Sequence, residues 1–410
     1  MNLFKISIAN ILEKKLNSFL SAMLLTLGIG MISLLLLLNK QLDEQFRRNI
    51  RGIDMVVGAK GSPLQLILSS IYQIDAPTGN VPLAEVNSLR RNPFVKNVIP
   101  LSMGDNYQGF RILGTTPKYV EHFKAKIASG QLHNASMEVT IGSKVAKMSN
   151  LKVGDQFASS HGLDSEGDKH GEKKYKVTGI FEPNGSVVDQ LIITRLSSIW
   201  DIHDHEEDHE KSTENKHTEN HAESGDDDEN QQVTSALIQF RNPMGLLTIP
   251  RQINENTSMQ AALPSIEINR LFSLLGIGID TLRALAMIII SIAGISVLIS
   301  LYNSLKERKY EMALMLSMGA TRTRLFLMLL IEGLSLAVIG YFAGIILSRV
   351  GLWMFSRQAE QDFDYSLKSF TILPEEIYLF FAALAVGAIA AALPSLGIYK
   401  LNISRTLAEE

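Results

Sequence analysis

The chain has 410 residues, a formal net charge of −3 and no cysteine. So small and mixed a charge argues against a nucleic-acid partner, and the missing thiols exclude disulfides, cysteine-based zinc sites and thiol catalysis. Apolar runs sit at the two ends of the sequence and a polar stretch fills the middle, with length enough for more than one folded unit.

Residues 1–16 read as a cytoplasmic amphipathic N-terminus carrying Lys5, Lys14 and Lys15, followed by a first transmembrane helix and stalk over 17–44. The apolar run Asn17 to Leu38 exceeds the ~7–15 residues of a signal-peptide core, and no small-x-small pattern follows it, so an uncleaved span is expected. Three further runs have the ~20 apolar residues that crossing a hydrocarbon core requires: Leu285–Tyr302, Leu325–Leu347 and Ile377–Ile398. The expectation is a membrane protein with four transmembrane α-helices and a large α+β extracytoplasmic domain between helices 1 and 2. Lys and Arg cluster before the first span, between the second and third (Lys306, Arg308, Lys309, Arg322, Arg324) and after the fourth (Lys400, Arg405). These segments share one side in a four-span chain, and their basic residues assign that side to the cytoplasm.

Residues 45–270 form the extracytoplasmic α+β core domain. Strand patterns cover Val139–Ile141, Tyr175–Phe181, Leu191–Ile193 and Ala236–Phe240, and helical patterns cover Leu83–Arg91 and Lys118–Ile127. Gly52, Gly58 and Gly61 lack the strand-to-helix frame of a phosphate loop and read as a turn-rich entry into this domain. Residues 201–232 contain almost no apolar side chain, so this insertion is expected to be disordered in isolation. It holds His203, His205, His209, His217 and His221. With His161 and His170 in a second polar segment, seven of the nine histidines fall in two loops. Imidazoles among carboxylates suit zinc or a similar divalent ion, while a solvated acidic spacer accounts for the same composition. A floppy tract does not supply the rigid ligands of a catalytic metal.

Beyond the domain, 271–305 is stalk and second span, 306–324 a cytoplasmic elbow, 325–349 the third span and 350–374 a short extracytoplasmic loop. The fourth span, 375–399, leads to a cytoplasmic tail, 400–410. Gly333, Gly340 and Gly344 in the third span, and the alanine-rich fourth, mark close helix contacts. Their spacing leaves open whether they pack one bundle or join two chains. Glu332, about two turns into the third span, reads as a structural residue that snorkels or pairs with a basic residue of the elbow; direct coupling is the alternative. No P-loop or nucleophile-elbow motif occurs, so no ATPase or other enzyme is expected in this chain, and no cofactor of its own beyond zinc at the histidine tract.

The elbow carries Glu307-Arg308, then Glu311, then Gly319-Ala320, and Glu332-Gly333 in the next span. Gly319 suits a left-handed helix end and Thr321 a following cap. This combination resembles the signature of the FtsX/MacB-like permease family of ABC transporters, as do the opening helix-and-span segment, EVTIGSKVAKMSNLKVGDQF, YKVTGIFEPNGSVVDQLIIT and Pro394 near the end. The resemblance covers the chain except the histidine-rich insertions, and it departs at Asn402-Ile403, where the family carries an acidic-Pro pair.

The resemblance implies a permease of the mechanotransmission type in the bacterial inner membrane, related to lipoprotein-releasing permeases. The implied partners are a cytoplasmic ABC ATPase dimer carrying ATP and Mg, a second permease chain (identical or related), membrane lipid, and a periplasmic binding protein or lipoprotein. By the same resemblance Lys306, Glu307, Arg308, Glu311, Gly319, Ala320 and Thr321 face the ATPase. Lipid, lipoprotein or peptide release, divalent-metal handling on the same scaffold, and a non-transporting sensor or scaffold remain the alternatives.

Overall fold

The computed structural model describes residues 3–13, 15–161, 174–202, 231–362 and 370–400. They fall into two compact units, one of 1–44 with 273–410 and one of 45–272.

The first unit is helical. The N-terminal helix Leu3–Glu13 precedes four helices long and apolar enough to cross a membrane, Leu16–Ile50, Pro264–Glu307, Arg322–Arg357 and Glu375–Tyr399, here spans 1 to 4. The second is 44 residues long, far beyond the run Leu285–Tyr302 that its apolarity marks. At ~1.5 Å per residue it is about twice the length a bilayer core requires. Leu25 and Ile29 of span 1, Ala293, Val297 and Leu301 of span 2, Leu329 and Leu336 of span 3 and Ala383 and Ala390 of span 4 share one buried cluster.

The second unit is built on strands β1 Met55–Ala59, β2 Val81–Pro82, β3 Val95–Tyr107, β4 Phe110–Thr115, β5 Ile127–Gly130, β6 Glu138–Ile141, β7 Gln156–Phe157, β8 Ser160–His161, β9 Tyr175–Phe181, β10 Ile192–Arg195, β11 Gln232–Val233, β12 Ser235–Phe240 and β13 Met259–Ala262. Eleven of them join one sheet ordered β13-β1-β12-β3-β4-β10-β6-β9-β5, with β7 on β9 and β8 on β3. It is mixed: β10–β4 and β6–β9 are parallel, while β1–β12 and β3–β4 are antiparallel.

Both faces of the sheet are covered. Val56, Leu237, Ile99 and Leu101 point into one core, and Met55, Val57, Ala236, Ile238 and Val98 into another. Strands buried on both faces read as continuous apolar runs rather than alternating ones. The short helix Pro63–Ile67, which buries Leu66 and Ile67 in the first of these cores, starts on Ser62, whose hydroxyl accepts the Gln65 N–H at 3.4 Å.

Three local expectations change. The helix proposed for Lys118–Ile127 is only Pro117–His122, because Lys124 turns to φ +52° and Ile127 enters β5. Leu83–Arg91 is helical but tightens to a 3-10 turn over Leu89–Arg91. Gly58 lies inside β1 rather than in a turn, and a Cβ there would sit 2.5 Å from Leu66 Cδ1 and 3.1 Å from the Thr234 carbonyl. The histidine tract, with His203, His205, His209, His217 and His221, lies outside the described residues.

Candidate functional site

Span 2 ends at Glu307, the chain breaks at Arg308 with φ −102°, and the elbow helix Lys309–Ser317 begins. Its end is built by local chemistry. Gly319 takes φ +93°, its N–H reaches the Leu316 carbonyl at 3.1 Å, and the Ala320 N–H reaches Met315 at 2.9 Å. This is the paired closure that a left-handed glycine permits. Thr321 Oγ1 then accepts the Arg324 N–H at 3.4 Å and starts span 3.

Met312 and Ala313 turn inward, while Lys306, Glu307, Lys309 and Glu311 are exposed. Tyr310, Leu314 and Met318, four residues apart, form an exposed apolar row on one face, Met318 with 75% of its surface open. Arg308 behaves differently from its neighbour Glu307. Its side chain is only 11% exposed, and its guanidinium pairs with Glu13 of the N-terminal helix. Ser7 Oγ of the same helix donates to the Met328 carbonyl of span 3 at 3.0 Å. Arg322 Nη1 donates to the Tyr399 carbonyl at 3.2 Å. The elbow is therefore framed by the first helix and the end of the last.

The glycines of span 3 are used inside this chain. A Cβ on Gly344 would lie 3.0 Å from the Gly30 nitrogen, one on Gly340 2.7 Å from Leu25 Cβ, and one on Gly333 3.0 Å from the Gly387 carbonyl. Packing between spans 1, 3 and 4 thus accounts for the small residues without a second chain. Glu332 is buried, at 4% exposure. Span 3 carries a second buried charged residue, Arg349. Arg349 and Glu376 form a buried ion pair, with Nη2 2.8 Å from both carboxylate oxygens. Sequence spacing could not find it, because the partners lie on different helices, 27 positions apart.

In unit 45–272, Asp189 is buried and accepts the Gly185 N–H at 2.7 Å, the Asn184 N–H at 3.1 Å and the Ser143 hydroxyl at 3.2 Å. The turn it holds offers the Gly185 carbonyl to Arg48, at 3.2 Å, and Asn49 Oδ1 accepts the Val187 N–H at 3.3 Å. His133 is buried, with Nδ1 3.1 Å from Thr140 Oγ1. Burial first, and the nearby Arg195 charge second, lower its pKa to about 4, so the ring is neutral at physiological pH. Among the described residues no cluster of three or more His, Asp, Glu or Cys is arranged to hold a metal.

Residues 18–238 match the family model of the MacB-like periplasmic core domain, and residues 283–403 match that of the FtsX-like permease C-terminal region. No curated protein matches the chain. Among solved structures it is similar to the periplasmic region of MacB from Actinobacillus actinomycetemcomitans, at 12% identity and TM-score 0.32, over 54% of this chain and 95% of that one. It is also similar to the extracellular domain of the noncanonic ABC-type transporter YknZ from Gram-positive bacteria, at 12% identity and TM-score 0.30, over 50% of this chain and 98% of that one. At these scores neither structure adds weight, and the assignment rests on the two family models, the first of which alone spans more than half the chain. The chain belongs to the FtsX/MacB-like family of ABC transporter permeases.

Proposed function

We propose that this permease sits in a bacterial inner membrane with both termini cytoplasmic and unit 45–272 periplasmic, and that it converts ATP hydrolysis on a separate ATPase dimer into motion of that unit. Two permease chains, identical or related, complete the assembly. The work is done on lipid, lipoprotein or peptide at the periplasmic side.

The observation that carries this reading is the elbow surface. Tyr310, Leu314 and Met318 form an exposed apolar row along the elbow, next in sequence to the exposed Lys309 and Glu311, while Met312 and Ala313 are buried. An exposed apolar row rimmed by charge is the anatomy of a protein-docking helix. The core flanks support the transmission step: the helices Lys15–Ile50 and Pro264–Glu307 are each unbroken over 36 and 44 residues. Arg308 contributes by holding the elbow against the N-terminal helix rather than by meeting the ATPase.

The test is co-purification of the chain with an ATPase from the same cell. Leu314→Asp and Glu311→Lys are expected to release the ATPase or uncouple its turnover. Retention of full coupling in both variants would count decisively against the elbow as the input.

A second reading, divalent-metal handling, is favoured by the concentration of seven of nine histidines in two segments. Calorimetry with zinc on the full chain, with and without residues 203–230, separates it from a plain spacer. Micromolar binding that disappears with the deletion supports metal handling. Absence of binding in the intact chain removes it.

A further inference from the structure

Near the end of the bundle where span 4 begins, polar groups from spans 1 and 3 and from the turn before span 4 converge on one carboxylate. Glu376 Oε1 accepts from Ser33 Oγ of span 1 at 2.7 Å, and both carboxylate oxygens accept from Arg349 Nη2 of span 3 at 2.8 Å. The Leu373 N–H adds a bond to Oε2 at 3.2 Å, and Tyr341 donates its hydroxyl to the Glu376 backbone carbonyl at 3.2 Å. Ser33 and Ser348 hydroxyls lie 3.0 Å apart. The Arg349 and Glu376 side chains are 10% and 4% exposed, and Leu37, Leu352 and Leu373 form a buried apolar cluster of their own. A desolvated ion pair adds little net stability compared with apolar packing, but losing one partner strands a charge. Its effect is to specify one register of the helices that supply it.

The contacts below this group separate the spans into two kinds. Spans 1 and 3 meet backbone to backbone: a Cβ on Gly30 would lie 3.1 Å from the Gly344 carbonyl. Spans 3 and 4 do the same, since a Cβ on Gly387 would lie 3.0 Å from the Gly333 carbonyl. Span 2 touches its neighbours mainly through side chains. A Cβ on Gly28 of span 1 would lie 2.5 Å from Ile290 Cγ1, with the Ile290 nitrogen farther off at 3.3 Å, one on Gly294 of span 2 would lie 3.0 Å from Val386 Cγ1, and Ser21 pairs with Ser296 at 3.0 Å. Side-chain contacts can change rotamer as a helix slides, whereas interlocked backbones cannot.

We propose that Ser33, Ser348, Arg349 and Glu376 form a clasp that makes spans 1, 3 and 4 one body, and that span 2 is the element that slides against that body during the ATPase cycle. The sliding step rests on the permease reading above; the clasp does not.

The absence of cysteine lets two engineered pairs decide the matter. Ser33→Cys with Ser348→Cys joins spans 1 and 3, and Ser21→Cys with Ser296→Cys joins spans 1 and 2. In both, the native hydroxyl oxygens are in hydrogen-bond contact, 3.0 Å apart. The full chain with its ATPase in lipid nanodiscs is assayed for ATP turnover before oxidation, after it, and after reduction.

The first pair is expected to keep its turnover when oxidised. The second is expected to lose an order of magnitude or more and to recover on reduction, as when a conformational step limits turnover. Loss of turnover in the first pair, or its retention in the second, overturns the sliding step.

The clasp is tested on the permease alone in detergent by disulfide yield with Arg349→Met added. Yield in the Ser33/Ser348 pair should fall while the Ser21/Ser296 pair is unchanged, a selectivity that general misfolding would not produce. Equal yields, or an equal fall in both, overturn the clasp. Failure to find any ATPase would defeat the permease reading and leave this second measurement standing.

Discussion

His133 sets a pH dependence in unit 45–272. Its folded pKa of about 4 lies below the 6.5 of a free imidazole, so the unfolded chain takes up the proton first. The stability this neutral ring contributes is complete above pH 6.5 and is lost as pH falls towards 4, by ~1.4 kcal/mol per unit at most. Thermal melts of the purified chain between those limits should show the loss, and His133→Gln should flatten it. Gly130 is a second sensitive position. At φ +78° with a Cβ site 2.2 Å from the Thr178 carbonyl, Gly130→Ala should cost about 1–3 kcal/mol or more and displace β5 from β9. A melting temperature equal to that of the parent would refute this. In the bundle, Arg349→Met leaves the Glu376 carboxylate buried beside its serine, a loss of about 3–5 kcal/mol.

At the scale of elements, the N-terminal helix and the elbow act together. Glu13 is 70% exposed, so its pair with Arg308 adds at most ~1 kcal/mol to stability. Glu13→Gln should therefore leave the melting temperature nearly unchanged while lowering ATP-dependent coupling, because Arg308 loses the contact that orients the start of the elbow. Coupling equal to that of the parent would show that the helix does not position the elbow. The elbow ends were legible in the sequence, since Gly319 and Thr321 act through bonds to residues within five positions of themselves. Strand β1 was not. Its MVVGA run sits among glycines, and the sheet pairs it with residues some 180 and 205 positions away in β12 and β13.

At the scale of the whole molecule, the described ends of the histidine tract are held close without it. Trp200 Nε1 donates to the Gln232 carbonyl at 2.8 Å, and β11 pairs with β2 immediately after. Replacing residues 203–230 by a short Gly-Ser bridge should therefore leave the thermal midpoint of the chain essentially unchanged, since loop length alters closure entropy only logarithmically. A large fall would show that the tract supports the fold. The same variant serves the zinc titration, so stability and metal binding can be read on one protein.

Segregation of apolar runs determined, from the sequence alone, where helices able to cross a membrane lie, and local motif chemistry in the elbow pointed to the family. Both depend on residues close together in the chain, where length, periodicity and capping are readable. Only the tertiary structure decided that Gly340 and Gly344 pack against span 1, that Arg308 turns to Glu13, and that Arg349 and Glu376 neutralise each other. These are pairings between distant segments, and a charge or a glycine has no readable role until the helix that meets it is known.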